Sequence, residues 1–148
     1  MMKRVRLIKS TKQVIVEDLP NGGGEAWMNT FDFPTINDKY SGYKNRYIYG
    51  WHAVDYWKNT LIKRDLDNPA GDKTWFEPSH YPGEMFFIPN PEGTEEDDGV
   101  LITISFDGWR AQSYVMLLDA QTFEEINRSY LPYKIPFSFH GNWFSELH

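Results

Sequence analysis

The residue in this sequence with the clearest chemical potential is a histidine near its end, His140. It lies within residues 135–144, between a run of aromatic residues and Gly141. Pro136 has no backbone N–H to give to a sheet, and glycine adopts backbone angles that other residues resist. Such an irregular segment could hold the imidazole as a metal ligand, as a catalytic base or as a buried structural histidine with a carbonyl partner. Residue types alone favour the structural interpretation, because a lone histidine in an apolar run is usually structural.

The elements that must position this histidine are predicted to be short strands. Runs rich in β-branched and aromatic residues, with turn signals between them, are typical of strands. They occur at residues 5–8, 13–17, 26–33, 46–51, 60–65, 73–76, 84–89, 100–106, 113–119 and 124–130. The first two predict a hairpin, and the third is expected to stop at Pro34. Since no window of 11 or more residues holds a helical stripe, the predicted fold is all-β with antiparallel sheets.

The spacing of these strands is typical of β-propeller blades. Four antiparallel strands with turns between them form one blade, and the clearest such unit spans about residues 84–130. Residues 26–76 can be parsed, less cleanly, as a second blade. Two blades cannot close a ring, because propellers typically have about four to eight. The sequence therefore predicts an incomplete ring with an uncovered apolar face.

Composition limits the possible functions. The 148 residues are 41% hydrophobic and 24% charged, as expected for one folded, soluble domain. A net charge of −6 without a basic stripe makes nucleic acid or an anionic membrane a poor partner. The absence of cysteine excludes disulfides, thiolate metal sites and cysteine nucleophiles. No apolar run has the length of a signal peptide or membrane span, so a cytoplasmic location is expected.

Several motifs follow one another in an order that resembles a known family. They are Phe31-Asp32-Phe33-Pro34, Tyr47-Ile48-Tyr49-Gly50, residues 77–89 with Pro82-Gly83-Glu84-Met85, residues 95–101, Leu118-Asp119-Ala120, and residues 135–141 with Phe139-His140-Gly141. Together they resemble the C-terminal part of the carotenoid cleavage oxygenases, including the animal carotene oxygenases and the retinoid isomerase of the visual cycle. The resemblance covers about residues 26–144. It is specific because several motifs recur in the right order, whereas any one alone would be weak.

The resemblance implies a seven-bladed β-propeller with non-haem iron(II) on its axis. Four histidines from four blades hold the iron, and three carboxylates orient those histidines. Oxygen adds across one double bond of a carotenoid or retinoid polyene and gives two carbonyl products. Residues 1–148 are then expected to be the C-terminal portion of a single propeller domain, with residues 135–144 carrying the last ligand. The remaining N-terminal blades would be missing partners of this chain.

The resemblance also implies roles for four residues. His140 matches the last iron ligand, Glu84 matches a carboxylate that orients a ligand, and Phe139 would line the substrate cavity. Asp32 stands where the family usually has a glutamate, and its side chain is one methylene shorter. Losing such an orienting carboxylate costs about 10–100-fold in metal affinity or activity. The residues around Glu84 agree with an inward role, since Pro-Gly precedes it and four apolar residues follow, although a solvent-exposed strand edge is the alternative.

The other histidines, His52, His80 and His148, match no ligand motif and are interpreted as solvated loop or end residues. One imidazole with one or two carboxylates cannot hold iron with useful affinity. We therefore expect this chain alone neither to bind iron stoichiometrically nor to cleave carotenoid. The acidic run at residues 95–98 lacks the alternating spacing of a Ca²⁺ loop and is interpreted as a solvated turn.

One alternative function stays open at this point. The chain could be a non-catalytic β-rich module that binds an apolar ligand or a protein partner. Substrate, cleavage position, and the choice between cleavage and isomerisation depend on cavity residues that this sequence does not contain. Peripheral membrane association is equally open, because the family's apolar membrane patch is formed mostly by upstream segments.

Overall fold

The computed structural model describes residues 3–19, 31–55, 58–136 and 140–144, without the side chains of residues 52–55 and 58. Within these ranges the chain forms ten strands and two short 3₁₀ turns, Asp38–Tyr40 and Pro69–Gly71. The strands are β1 (Lys3–Ile8), β2 (Gln13–Asp18), β3 (Asp32–Thr35), β4 (Tyr47–Asp55), β5 (Lys58–Asp65), β6 (Lys73–Trp75), β7 (His80–Pro89), β8 (Gly99–Asp107), β9 (Gln112–Asp119) and β10 (Glu125–Tyr130). No helix among the described residues is long and apolar enough to cross a bilayer.

The strands form three antiparallel sheets, each in chain order. β1 and β2 make a hairpin, β3 to β6 make one four-stranded sheet, and β7 to β10 make another. Each four-stranded sheet has the meander of a propeller blade. The all-β, antiparallel prediction is therefore confirmed, and the second sheet contains all four strands predicted between residues 84 and 130. It begins earlier than predicted, because β7 starts at His80.

The strand predicted at residues 26–33 lies mostly outside the described residues. β3 continues through Pro34, so the prediction that the strand stops there is wrong. Two features allow a proline inside this strand. β3 is an edge strand, so the N–H that Pro34 lacks removes no hydrogen bond to a second neighbouring strand. The pairing with β4 is also irregular between Asp32 and Thr35.

The core lies where the two four-stranded sheets face each other. Its fully or almost fully buried side chains are Tyr49, Leu61, Met85, Phe87, Leu101, Tyr114, Met116, Leu118, Ala120 and Phe123. The rings of Tyr49 and Phe87, one from each sheet, have their centroids 5.5 Å apart. Alternate residues of β8 and β9 point away from this core. As a result Ile104 is 45% exposed, and Ile102, Val115 and Leu117 are only half-buried.

His80 is not solvated as predicted, because only 6% of its surface is exposed. Its Nδ1 lies 3.0 Å from the carbonyl oxygen of Pro78 and must donate to it, which leaves Nε2 to accept from Arg128 Nη1 at 3.1 Å. Asp107 Oδ2 lies 3.5 Å from the same Nε2. These contacts hold a buried histidine at the start of β7, the strand that carries Glu84.

Asp107 organises the turn after β8 and ties it to β10. Its carboxylate accepts hydrogen bonds from the backbone of Arg110 at 3.0 Å and from the hydroxyl of Tyr130 at 2.8 Å. Burial opposes the charged form, but these hydrogen bonds outweigh it and hold the pKa of Asp107 below its ordinary value. Since the folded-state pKa is lowered, the stabilisation is present above the unfolded value of about 4 and is lost as the pH falls through the folded value.

Replacing Tyr130 with phenylalanine is expected to lower the free energy of unfolding by about 1.5 kcal/mol at pH 7, because a hydrogen bond to a charged acceptor is lost. The loss should shrink as the pH falls below the unfolded pKa of about 4 and through the lowered folded pKa of Asp107, because the carboxylate is progressively protonated. Urea unfolding at pH 7 and pH 3 measures both effects. Tyr133→Phe, at a side chain that is 63% exposed, is the matched control. An equal loss at both pH values would contradict this account.

The acidic run at residues 95–98 is also not a solvated turn, as the sequence suggested. The carboxylate of Glu96 accepts from the backbone N–H groups of Arg46 and Tyr47 at 2.7–2.9 Å. Asp97 pairs with Lys63 Nζ at 2.6 Å. Both contacts run from the loop after β7 to the first four-stranded sheet.

Candidate metal-ligand site around His140

The structure brings Glu84 and His140 together. Glu84 Oε2 accepts a hydrogen bond from the backbone N–H of Gly141 at 3.2 Å and lies 3.7 Å from His140 Nδ1. The Glu84 side chain is 19% exposed, whereas that of His140 is 76% exposed. The exposure of His140 is inconsistent with a buried structural histidine. The carboxylate thus faces one ring nitrogen, and the other nitrogen, Nε2, is left for a ligand role.

An irregularity in β7 aims Glu84 at this segment. The pairing of β7 with β8 shifts register between Pro82 and Met85, which is the position of Gly83 and Glu84. A bulge of this kind re-aims the side chains beside it. A Cβ on Gly83 would lie only 2.9 Å from the carbonyl oxygen of Ile104, so the close approach of the strands requires glycine. Met85 therefore points into the core while Glu84 meets the 140–144 segment.

Gly141 lets that segment approach the sheet closely. A Cβ on Gly141 would lie 3.1 Å from the ring of Phe86, which is tighter than an ordinary contact. The Gly141 N–H is bonded to Glu84, and a side chain at Gly141 would crowd the ring of Phe86 on the same strand. The glycine in the His-Gly pair is thus explained by packing, and it places the imidazole next to β7.

The imidazole also contacts the first four-stranded sheet. The Phe33 ring lies edge-on to His140, with centroids 5.6 Å apart and planes at 74°. Phe33 has a φ of 49°, a left-handed conformation that is rare for a bulky residue and is often found at functional sites. Its ring also contacts Trp51, at 5.7 Å between centroids. The imidazole therefore contacts both a carboxylate of β7 and an aromatic ring of β3.

The remaining predicted site residues are placed less closely. Asp32 is exposed, and its Oδ1 accepts a hydrogen bond from the backbone N–H of Phe33 at 2.9 Å. Phe139, His148 and the side chain of His52 lie outside the described residues. His80 belongs to the buried network with Arg128 described above. Of the predicted set, the structure thus joins Glu84 with His140 and puts Asp32 beside Phe33, the ring that contacts His140.

The donor chemistry of this site fits one ligand of a transition metal. A neutral imidazole suits Fe(II), and a carboxylate at the second ring nitrogen fixes the ring and raises its basicity. Among the described residues, however, no group of three or more His, Asp or Glu side chains is arranged to hold a metal ion. A metal at His140 would need its other ligands from outside this part of the chain.

A groove of about 800 Å³ adjoins the site between β3, β7 and the 140–144 segment. Most of its walls are apolar, and they include Pro34, Ile36, Phe87, Ile88, Pro91 and Trp143. Glu84 lies at its wall, next to Gly141. Neither the groove nor the contact of Phe33 with His140 was predicted from the sequence. The motif around Asp32 contained Phe33, but nothing in it indicated which ring would meet the histidine.

Comparison with known proteins shows which molecules this chain resembles. The family model described as RPE65, retinal pigment epithelial membrane protein, matches residues 1–145. The carotenoid cleavage dioxygenase 8 homolog A, chloroplastic, of Oryza sativa subsp. japonica is 43% identical over 116 residues, covering 76% of this chain and 20% of the relative. The mitochondrial carotenoid-cleaving dioxygenase of Homo sapiens is 36% identical over 129 residues, covering 86% of this chain and 21% of the relative.

Solved structures give the same picture. The cobalt-substituted apocarotenoid oxygenase of Synechocystis superposes with a TM-score of 0.76 and 25% sequence identity, covering 96% of this chain and 29% of that one. The sheets described above therefore match part of a larger propeller. The chain spans about a fifth of the length of the curated relatives it matches.

Proposed function

The chain belongs to the RPE65 family of carotenoid oxygenases, and from this premise we propose that it is the C-terminal part of an iron(II)-dependent dioxygenase. The proposed reaction is the oxidative cleavage of one double bond of a carotenoid or apocarotenoid to two carbonyl products. The observation that carries the proposal is the pairing of Glu84 with His140, 3.7 Å between Oε2 and Nδ1. A carboxylate beside the second ring nitrogen is one of the usual partners of a metal-binding imidazole.

In this proposal His140 supplies one ring nitrogen to the iron, and iron bound there supplies the activation of O₂. Glu84 holds the ring in orientation by facing Nδ1, and the same carboxylate fixes the backbone through Gly141 N–H. The edge-on contact of Phe33 limits rotation of the imidazole. The residues of this chain thus position one ligand.

Two further assignments are part of the same proposal. Asp32 orients a histidine that comes from another blade, at some cost from its shorter side chain. Phe139 lines the cavity for the polyene. The apolar groove of about 800 Å³ beside Gly141 supports a hydrophobic substrate at this edge of the chain.

The missing N-terminal blades are the partners we propose for the chain, so that residues 1–148 form part of one propeller domain. Two apolar surfaces support this. The outward face of the second four-stranded sheet includes half-buried Ile102 and Leu117. The hairpin presents Val5, 57% exposed, and Leu7, 73% exposed, on one face. Surfaces of this kind mark contacts with further protein.

The test compares the 148-residue chain with the same chain joined behind the N-terminal portion of the Synechocystis apocarotenoid oxygenase. We expect the isolated chain to bind no stoichiometric iron and to release no aldehyde from an apocarotenoid. We expect the joined protein to bind one iron and to produce aldehyde. Metal analysis and chromatography of the products measure both. One-to-one iron uptake by the isolated chain with product formation, or a folded joined protein without iron, would overturn the proposal.

The groove also favours a second candidate, a non-catalytic module that binds an apolar ligand. Its large, mostly apolar walls are the observation in favour. Fluorescence titration of the isolated chain with an apocarotenoid discriminates the two. Saturable binding without metal, together with a joined protein that lacks iron and activity, would favour the second candidate.

A further inference from the structure

The two sides of the His140 site come from different sheets. Phe33 belongs to β3 of the first four-stranded sheet, whereas Glu84, which holds the His140 segment, belongs to β7 of the second. The position of the Phe33 ring against the imidazole therefore depends on how the two sheets are aligned. The loop from residue 90 to residue 98, called the acidic loop below, makes several of the polar contacts that cross between them.

The first of these contacts is made by the Glu96 carboxylate. It accepts from Arg46 N–H at 2.7 and 2.9 Å through its two oxygens and from Tyr47 N–H at 2.8 Å. Tyr47 is the first residue of β4, so the carboxylate is fixed to the start of that strand. Hydrogen bonds to a charged acceptor are stronger than neutral ones, and these are short. Glu96 thus attaches the acidic loop to the neighbouring sheet.

The second contact connects the acidic loop to the end of β3. The backbone carbonyl of Glu96 accepts from Asn37 Nδ2 at 2.9 Å. Asn37 is 3% exposed, and its Oδ1 accepts from Lys39 N–H at 3.1 Å, which fixes the amide orientation. Since β3 ends at Thr35, this contact holds the strand that carries Phe33.

From these contacts we infer that Glu96 is a positioning residue, which aligns β3 with β7 and so sets the Phe33 ring against His140. The side chain bonds to the backbone of Arg46 and Tyr47. By fixing the acidic loop there, it also places the Glu96 backbone carbonyl that accepts from the Asn37 amide, and it touches neither ring. The alignment can be measured without iron. The consequence for catalysis, that a misaligned imidazole binds iron less well, rests on the proposed function.

The test is NMR of the metal-free 148-residue chain, reading the ring protons of His140. These protons feel the ring current of Phe33, and a Phe33→Leu variant gives their value without it. In Glu96→Ala we expect the His140 signals to move at least half of the way to that value. The Gly141 amide signal should stay in place, because Glu84 and Gly141 both belong to the β7 side. Glu96→Gln keeps one acceptor oxygen, so we expect a smaller movement.

Glu95→Ala is the matched control, because it removes the same charge from an exposed neighbour. We expect it to leave the His140 signals unchanged. A role in stability alone would lower the unfolding midpoint of Glu96→Ala without moving these signals in the folded protein, and that result would overturn the inference. If Glu96→Ala does not fold, Glu96→Gln decides in the same way. Loss of iron binding in the joined protein, with the NMR result intact, would count against the proposed function only.

Discussion

Replacing His140 with alanine in the joined, complete propeller is expected to reduce bound iron from one equivalent to background and to lower the cleavage rate by more than about 100-fold. The lower limit of about 100-fold follows from residues that only orient a ligand, because losing one of them costs about 10–100-fold. His140 would supply the metal bond itself, so its removal must cost more. Metal analysis and initial rates of aldehyde release measure the two effects.

A variant of Glu84 gives a smaller expected loss with which the loss in His140→Ala can be compared. Glu84→Gln keeps the size of the side chain but removes the charge 3.7 Å from Nδ1. We therefore expect a loss of about 10–100-fold, smaller than that of His140→Ala. Lys134→Ala, at an exposed residue outside the lining of the groove, is the control and should retain iron and activity. Full iron occupancy in a folded His140→Ala variant would exclude His140 as a ligand.

The second large effect is expected at Asp97. Lys63 is 3% exposed in its side chain, and its ammonium group is held by Asp97 at 2.6 Å and by the carbonyl oxygen of Ala120 at 2.8 Å. Removing the carboxylate leaves a buried charge with neutral partners only. Breaking a buried pair in this way costs about 3–5 kcal/mol. Asp97→Ala should therefore lower the free energy of unfolding by that amount, as measured by urea unfolding.

Two further variants show that this loss comes from burial. Replacing both partners, as Lys63→Met with Asp97→Ala, removes the uncompensated charge and should recover part of the loss. The exposed pair of Lys44 and Asp67, with side chains 65% and 47% exposed, is the control. Asp67→Ala should change stability by less than about 1 kcal/mol. A similarly small effect of Asp97→Ala would contradict the account.

The strands could be predicted well because their signals are local. β-branched and aromatic runs bounded by turn residues gave β4, β5 and β8 to β10 within one or a few residues. His80 and Glu96 were misjudged for the opposite reason. His80 is buried by Arg128, which lies far along the chain, and Glu96 bonds to the backbone of another sheet. Sequence patterns do not report partners of this kind.

The site was predicted through family resemblance more than through residue types. By itself, His140 in an apolar segment favoured a buried histidine, and the structure shows an exposed ring beside a carboxylate. The pairing depends on a register shift in β7, and period-two alternation cannot reveal it. The left-handed φ of Phe33 could not be predicted either, because this conformation is normally expected at glycine and not at phenylalanine.

The hairpin at the start of the chain is expected to affect how fast the protein is degraded in a cell. Val5 pairs with Val16 and Leu7 with Val14 across the two strands, and all four side chains are more than half exposed. An uncovered strip of paired aliphatic side chains is a target for chaperones and proteases and a seed for aggregation. Unassembled copies should therefore be cleared quickly, and copies joined to their remaining blades should persist. The turnover rate of the polypeptide then reports the fraction of copies that are part of a complete propeller.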